Sequence, residues 1–316
     1  MTPPSDAVAI ALAARLEQTF LHACRLDVEA LKPGNVGLHG DGHRMQVADF
    51  LASAQAAAAP LCRPDATVGE RIEDAMRATW QAVGCNTNLG IVLGCAPIAH
   101  AALHQRPGES LRQSLQRTLD SLTVMDASRC YAAIRLAQPA GLGRSDKHDV
   151  ADDVTVSLLE AMRSAAQRDS IAALYAEGYA LVFDRLLPVH AAAQLRWHSE
   201  AWAATGVFMF CLALIPDTHI VRKHGPETAL SVRDKAIQMF DRLEQCSDPV
   251  IMQDALRTWD DGLKTAGINP GTSADLTVVT AFLAGVLGLA GTHRDTEVLI
   301  PCSAPGTRTT TGGHPQ

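Results

Sequence analysis

Residues 269–291, NPGTSADLTVVTAFLAGVLGLAG, join a polar corner to a long apolar run. Pro270 and Gly271 favour a turn, and the apolar run predicts a helix over 273–290. Thr272 is the expected N-cap of this helix, and Asp275, three residues on, is its capping-box partner. A ligand can also bind here, because the amides of a helix N-terminus attract anions and an Asp there can hold a metal ion that bridges phosphates. Taken alone, the stretch favours a plain helix cap.

Helical periodicity continues through the rest of the chain. Apolar residues recur at spacings of three and four from Ile10 to about Leu31, and no stretch shows sustained apolar–polar alternation bounded by turns. Further helical patterns cover 46–60, 67–83, 89–104, 109–122, 150–166, 170–187, 190–214, 226–246 and 248–265. We therefore predict an all-α fold of about ten helices in one domain over residues 1–300, followed by a flexible tail over 301–316.

Composition narrows the class of protein. The 316 residues are 47% hydrophobic and 19% charged with a net charge of −7, which suits a large core and argues against a general nucleic-acid binder. The eight cysteines form no C-x-x-C pair and mostly lie in apolar runs, as reduced cytoplasmic thiols do. No basic segment precedes the first apolar residues, and the longest apolar runs fall short of the ~20 residues that cross a bilayer. We expect a cytoplasmic protein with no membrane or nucleic-acid partner, and a homo-oligomer stays open.

Five inter-helix loops are rich in Gly, His, Asn, Asp and basic residues. They span 29–45, 84–90, 140–153, 217–225 and 267–275. Because inter-helix turns are ordinarily short, loops this polar suggest that one end of the bundle gathers them into a pocket. Solvated surface loops and ordinary helix caps are the alternative that the residues alone leave open.

The loops carry side chains suited to phosphates and a metal ion. A carboxylate at the C-terminal end of a helix, such as Glu29, is unfavourable unless a cation lies nearby. Asp217 precedes several potential cations, as a site for a polyphosphate and its metal requires. The candidates on these grounds are Glu29, Lys32, His39, His43, Asn86, Thr87, Asn88, Arg144, Lys147, His148, Asp217, His219, Arg222, Lys223 and Asp275.

Four motifs follow one another in a specific order. They are Glu29 with Lys32-Pro33-Gly34, His39 and Gly42-His43; Asn86-Thr87 with Gly90; Asp217-Thr218-His219 with Arg222; and Pro270-Gly271 with Ser273-Ala274-Asp275-Leu276. Over about residues 29–290, this order resembles the triphosphoribosyl-dephospho-CoA synthase family. Each motif alone is weak, whereas the ordered set is specific.

The resemblance implies an all-α, Mg²⁺-dependent transferase that uses ATP as triphosphoribosyl donor and releases adenine. The acceptor is the 2′-hydroxyl of dephospho-CoA, and the product is a prosthetic-group precursor. The implied catalytic and metal-binding residues are Glu29, Asp217 and Asp275. The implied nucleotide- and phosphate-binding residues are Lys32, Gly34, His39, His43, Asn86, Thr87, Asn88, Arg144, Lys147, His148, His219, Arg222, Lys223 and Ser273.

Two departures from the family pattern lie where substrate would be held. Asn88-Leu89 replaces a His-Lys pair, and GLGRSDKHDV at 141–150 replaces a Gly-x-Arg-Gly-Glu-Ala element. The chain is thus similar to a divergent branch from archaea and methylotrophic bacteria. The alternative function is therefore transfer to another phosphorylated acceptor in one-carbon cofactor biosynthesis, of the methanopterin or methanofuran type.

The sequence gives less support to two further classes of protein. A prenyl-diphosphate-type synthase is supported only by DVADD at 149–153, and no D-D-x-x-D motif is present. A helical scaffold without catalysis predicts that neutralising Glu29, Asp217 and Asp275 leaves ligand affinity intact. Five polar loops at helix ends argue against that scaffold.

Overall fold

The protein is described by a computed structural model over residues 6–38, 46–139, 143 and 148–291. Every regular element in these ranges is helical, which confirms the predicted all-α class. The α-helices are α1 Asp6–Glu29, α2 Val47–Cys62, α3 Val68–Val83, α4 Leu89–Leu103, α5 Leu111–Asp120, α6 Val124–Ala137, α7 Leu158–Ala165, α8 Ser170–Ala176, α9 Leu187–Trp197, α10 Glu200–Leu214, α11 Thr218–His224, α12 Pro226–Glu244, α13 Gln253–Thr265 and α14 Gly271–Gly291. A π-helical segment, Val182–Leu186, precedes α9, and a 3₁₀ turn, Pro249–Met252, precedes α13.

Helix α6 lies where the periodicity predicted no helix. It begins at a capping box in which the Thr123 hydroxyl accepts the Asp126 amide at 3.1 Å and the Asp126 carboxylate accepts the Thr123 amide at 2.9 Å. The other Asp126 oxygen accepts the Gly69 amide at 2.8 Å, which fixes the start of α3 against α6. The T-x-x-D pattern was a usable sequence signal for this helix.

The predicted helix over 190–214 is two helices, which helps to bring the helix count in the described residues above ten. The break falls at His198, whose φ of 49° is left-handed and ends α9. Ser199 then starts α10, because its hydroxyl accepts the Trp202 amide at 3.3 Å. The helix predicted over 150–166 is also shorter, since α7 begins only after its cap, Ser157.

Helix α4 is the central helix and contains a proline. Pro97 has no N–H, so the Leu93 carbonyl lacks its intrahelical donor. The buried Tyr175 hydroxyl supplies that donor at 2.7 Å, and Tyr179 donates to the Gly94 carbonyl at 2.9 Å. A Cβ on Gly94 would lie 2.3 Å from the Val279 Cγ2, so this glycine permits close contact between α4 and α14.

Two apolar cores meet along α10 and α14. The larger core is built from α1 to α8 with the buried face of α14, and the smaller core from α10 to α13. By length and composition, residues 271–288 of α14 form the one helical window in the described ranges that could cross a membrane, and 61% of it is buried inside the fold. Helices α10 and α11 pass that test only together, across a 57° bend. The burial of α14 is that of a core helix.

Candidate active site

Asp217 joins the starts of α11 and α14. Its Oδ1 accepts the His219 and Ile220 amides at 2.9 and 3.1 Å, which caps α11. Its Oδ2 accepts the Ser273 amide at 2.7 Å and the Ser273 hydroxyl at 2.8 Å. Burial raises the pKa of Asp217, while these hydrogen bonds oppose the rise. Both residues were predicted to contact substrate or metal; in the structure, their side chains bind each other and Asp217 also binds the α11 amides, and the predicted contacts stay predictions.

The predicted capping box at Thr272 and Asp275 is wrong. Helix α14 begins at Gly271, so Thr272 lies within its first turn. The Thr272 hydroxyl instead accepts the His219 amide at 3.1 Å and pairs with the Thr218 hydroxyl at 3.0 Å. Packing against α11 thus competes successfully with the local cap, and it leaves the Asp275 side chain available.

The ends of α1, α4, α11 and α14 form a junction. Asp275 is the carboxyl group at this junction that has no protein partner. It is partly buried, and no hydrogen bond or ion pair joins it to the described residues. It lies against the start of α4, where a Cβ on Gly90 would be 2.1 Å from its Oδ2. Burial raises its pKa well above the usual range, and the charges of Asp27 and Asp217 add to the rise. A carboxyl group held this way needs a proton or a ligand to offset its desolvation.

Asp27 is the buried carboxylate at the end of α1, and sequence reasoning missed it. It forms a buried ion pair with Lys32, whose Nζ also donates to the Asn35 Oδ1 at 2.6 Å. The Asn35 amide in turn donates to the Asn269 Oδ1 at 2.9 Å. The side chain of Lys32 is 0% exposed. Lys32 was predicted to bind phosphate; in this structure it is the counter-ion of Asp27.

Gly34 holds the first loop against the loop that precedes α14. Its φ is 84°, and a Cβ there would lie 2.9 Å from both the Ile268 carbonyl oxygen and the Pro270 Cδ. Its amide donates to the Asp260 Oδ1 at 2.7 Å, and the Asp260 Oδ2 accepts Lys264 at 2.8 Å. Only glycine tolerates both this positive φ and such close neighbouring atoms. The turn at the Lys-Pro-Gly motif therefore packs the first loop against the loop before α14.

Arg222 is the guanidinium at this junction. Its Nη1 donates to the Asp169 Oδ2 at 2.7 Å, and its Nε is buried without a partner in the described residues. Its positive charge lowers the pKa of Asp275, which opposes the larger rise from burial. A guanidinium with spare donors can bind an anionic substrate.

The Asn86, Thr87 and Asn88 side chains contact neighbouring helices. The Asn86 Oδ1 accepts the Leu89 amide at 3.2 Å, and Thr87 donates to the Ser53 hydroxyl at 2.7 Å. Asn88 donates to the Thr79 hydroxyl at 3.1 Å, while its own Oδ1 is buried without a partner in the described part of the chain. Their predicted nucleotide contacts stay predictions.

The remaining predicted residues either have no hydrogen bond or ion pair to Asp275 or lie outside the described ranges. Glu29 has a side chain that is 39% exposed and 3.7 Å from Arg25. The His148 carbonyl accepts the Tyr131 hydroxyl at 2.7 Å, on the α6 side of the fold. Lys223 is exposed. The residues outside the described ranges are His39, His43, Arg144 and Lys147.

The predicted metal ligands do not form one set in the described residues. No group of three or more His, Cys, Asp or Glu side chains there is arranged to hold a metal ion. The Asp217 oxygens are committed to amides and a hydroxyl. Asp275 is the member of the predicted set that keeps free oxygens at the junction.

The fold and site together define a class of protein. The ends of α1, α4, α11 and α14 meet where the two apolar cores join, and they carry the unpartnered carboxyl group of Asp275 and the guanidinium of Arg222. An all-α fold with such charged groups at its helix ends is a candidate enzyme that acts on a small anionic substrate.

The comparisons with known proteins identify the family. Residues 13–293 match the family described as ATP:dephospho-CoA triphosphoribosyl transferase, and the chain belongs to it. The predicted family and the predicted enzyme class, a glycosyl-type transferase, are thereby confirmed. A crystal structure of an Archaeoglobus fulgidus protein proposed to be a triphosphoribosyl-dephospho-CoA synthase shares the fold, with a TM-score of 0.58 and 21% identity over 74% of this chain and 97% of that one. No curated protein sequence gives a significant match.

Proposed function

We propose that the protein transfers the triphosphoribosyl group of ATP to the 2′-hydroxyl of dephospho-CoA and releases adenine. The bond from ribose C1′ to adenine breaks, and a bond from C1′ to the acceptor oxygen forms. The acceptor hydroxyl loses its proton, and the departing adenine gains one. Family membership supports this reaction, and the single observation that carries the site is the unpartnered carboxyl group of Asp275.

Asp275 is proposed to act at the reacting carbon. Glycosyl transfer passes through a transition state with positive charge on the ribose, which a nearby carboxylate stabilises. A carboxylate can also accept the proton of the entering hydroxyl. Gly90 has no side chain, which leaves room for the Asp275 carboxyl group against the start of α4.

The triphosphate is proposed to bind beside Arg222. Its Nε has no partner in the described residues, and a guanidinium pairs well with phosphate oxygens. The amides at the α14 start add positive potential, because a helix of that length has its positive dipole end there. In this arrangement Arg222 orients the triphosphate so that the ribose points toward Asp275.

Mg²⁺ is proposed as the counter-ion of the triphosphate. In proteins it is usually held by one or two carboxylates together with substrate phosphates. Asp275 fits that requirement, because its oxygens are free of protein partners in the described residues. When bound, the ion would neutralise phosphate charge and order the triphosphate.

The test is release of adenine from ATP and Mg²⁺ with dephospho-CoA as acceptor, followed by chromatography. We expect adenine and the transfer product in equal amounts, and a loss of at least about 100-fold in rate for Asp275→Asn. The matched control is Asp261→Asn, which neutralises an exposed carboxylate on α13 and should keep the wild-type rate. Tight ATP binding without adenine release, with every acceptor offered, would contradict the proposal.

A second acceptor class is favoured by one observation. Asn88 and Leu89 stand where the family pattern has a His-Lys pair, and the Asn88 side chain turns to Thr79. A different phosphorylated acceptor, of the methanopterin or methanofuran type, is therefore the alternative. Adenine release with pterin phosphates but not with dephospho-CoA would decide for it.

A further inference from the structure

Asp169 is a residue that no sequence motif pointed to. It stands directly before α8, and its Oδ1 accepts the Ile171 and Ala172 amides at 2.9 and 3.1 Å. Its Oδ2 accepts the Arg222 Nη1 at 2.7 Å. One oxygen therefore caps a helix, and the other binds the guanidinium of the candidate site.

The cap makes Asp169 a fixed anchor. Two backbone amides hold its carboxylate in place, so the Arg222 guanidinium is held by a group that does not itself need to reorient. The α8 start is also joined to its neighbours, because the Ser170 amide approaches the Thr218 hydroxyl at 3.5 Å, and that hydroxyl pairs with Thr272 at 3.0 Å. The starts of α8, α11 and α14 are thus fixed relative to one another.

The Arg222 guanidinium keeps donors for a ligand. It has five N–H groups, and the bond to Asp169 uses one of them. Its Nε is buried and lacks a partner in the described residues. The Arg222 side chain is 23% exposed, so a ligand can reach it.

We propose that Asp169 is a positioning residue that orients the Arg222 guanidinium for a polyphosphate. This role rests on the proposed function, since it places the triphosphate of the nucleotide beside Arg222. Asp169 itself does not touch substrate. It restricts the guanidinium to one orientation, so less conformational entropy is lost when phosphate binds.

The decisive variant is Asp169→Asn. Asparagine caps a helix about as well as aspartate, but its amide nitrogen would face Arg222, which places a donor against a donor. We expect the dissociation constant for ATP, measured by calorimetry, to rise roughly tenfold. The melting temperature and the maximal rate at saturating ATP should stay near the wild-type values.

A matched control pair exists elsewhere on the surface. Arg112 makes a bidentate ion pair with Asp184 at 2.6 and 2.8 Å, which joins α5 to the π-helical segment. Asp184→Asn is the same chemical change and should leave ATP affinity unchanged. Asp169→Ala removes both cap and ion pair, so it should weaken ATP binding equally and also lower the melting temperature.

A double-variant cycle tests the mechanism. If Asp169 acts through Arg222, Asp169→Asn has no further effect on ATP affinity in an Arg222→Met background. Full additivity of the two changes, or an unchanged ATP affinity in Asp169→Asn alone, would overturn the proposal.

Inorganic tripolyphosphate separates this inference from the proposed reaction. If wild-type protein binds it and Asp169→Asn binds it more weakly, the inference stands even when no adenine is released from ATP. If adenine is released normally but neither ATP nor tripolyphosphate affinity depends on Asp169, the reaction stands and the inference fails. Failure of wild-type protein to bind tripolyphosphate or ATP would also overturn it.

Discussion

Lys32 shows how one residue can belong to a substrate motif and still be buried away from solvent. Its ammonium group lies against Asp27 and Asn35, in an interior site that water does not reach. Removing one member of a buried ion pair leaves the other charge uncompensated. We therefore expect Lys32→Met to lower the free energy of unfolding by about 3–5 kcal/mol, measured by urea denaturation.

The Asp27→Asn/Lys32→Met double variant is the control for Lys32. It removes both charges, so it should recover part of the lost stability. A phosphate-binding lysine behaves differently: its loss would weaken ATP binding and leave the unfolding free energy unchanged. That second outcome would restore the role predicted from the motif.

Gly90 is the residue that makes room for Asp275. A Cβ at this position would lie 2.1 Å from the Asp275 Oδ2, so Gly90→Ala must displace that carboxyl group. Alanine favours helix by about 1 kcal/mol over glycine, which offsets part of the strain. We expect a fall in the rate of adenine release of at least about tenfold, with a melting temperature close to wild type.

Gly288→Ala is the matched control for Gly90. Gly288 is exposed on α14, and a Cβ there would meet nothing within 4 Å. This variant should keep full activity and gain slight stability from helix propensity. If Gly90→Ala were equally active, Asp275 would not need its observed position.

His100 gives the protein a dependence of stability on pH. Its pKa is lowered to about 4, first by burial and then by the charges of His104 and Arg71. The unfolded chain takes up a proton near pH 6.5, whereas the folded protein does not until the pH falls much further. The stability contributed by neutral His100 is thus complete above about pH 6.5 and is lost as the pH falls toward 4.

His100→Gln should remove that part of the acid sensitivity. The expected result is a smaller fall in melting temperature between pH 7 and pH 4.5 than in the wild type, measured by calorimetry across this range. Parallel melting curves for the two proteins, offset by a constant at every pH, would show that His100 is protonated equally in the folded and unfolded states.

At the scale of elements, two backbone carbonyls of α4 accept hydrogen bonds from tyrosines in the segment that follows α7. Tyr175 compensates for the donor that Pro97 lacks, whereas the Gly94 carbonyl bound by Tyr179 also has the Ile98 amide as its regular helical donor. Tyr175→Phe leaves a buried carbonyl unpaired. It should cost about 1–3 kcal/mol of unfolding free energy, and Tyr179→Phe less. Equal losses in urea denaturation would contradict this account of the proline.

The helices themselves were largely predictable, because an apolar face repeats along the sequence at the period of a helix. The predictions failed where a tertiary contact replaced the local contact that the sequence favours. Thr272 has the sequence of an N-cap, yet its hydroxyl bonds to α11, 53 residues away in the chain. Local signals were present for two features that the periodicity missed. The break at His198 coincides with a polar pair, and the helix after Thr123 begins at a capping box.

At the scale of the whole molecule, the order of the motifs predicted the family, and the polar loops predicted a pocket at one end of the bundle. The sequence could not reveal that Asp27 is the buried partner of Lys32 and that Asp169 binds Arg222. Those roles depend on contacts between distant segments, such as the hydrogen bond between Asp169 and Arg222, which are 53 positions apart in the chain. A motif therefore predicts where a site lies, but it does not predict the role of each side chain in that site.

The junction of the two apolar cores leads to the last prediction. A ligand bound there contacts elements of both cores, so it should stabilise them together. We expect Mg²⁺ and ATP to slow amide hydrogen exchange at the starts of α4, α11 and α14, measured by mass spectrometry. Helix α5 lies away from the junction and should exchange as before. Protection confined to the open groove of about 430 Å³ between α1 and α2, lined by residues including His22, Arg25 and Gln55, would move the nucleotide site away from Asp275.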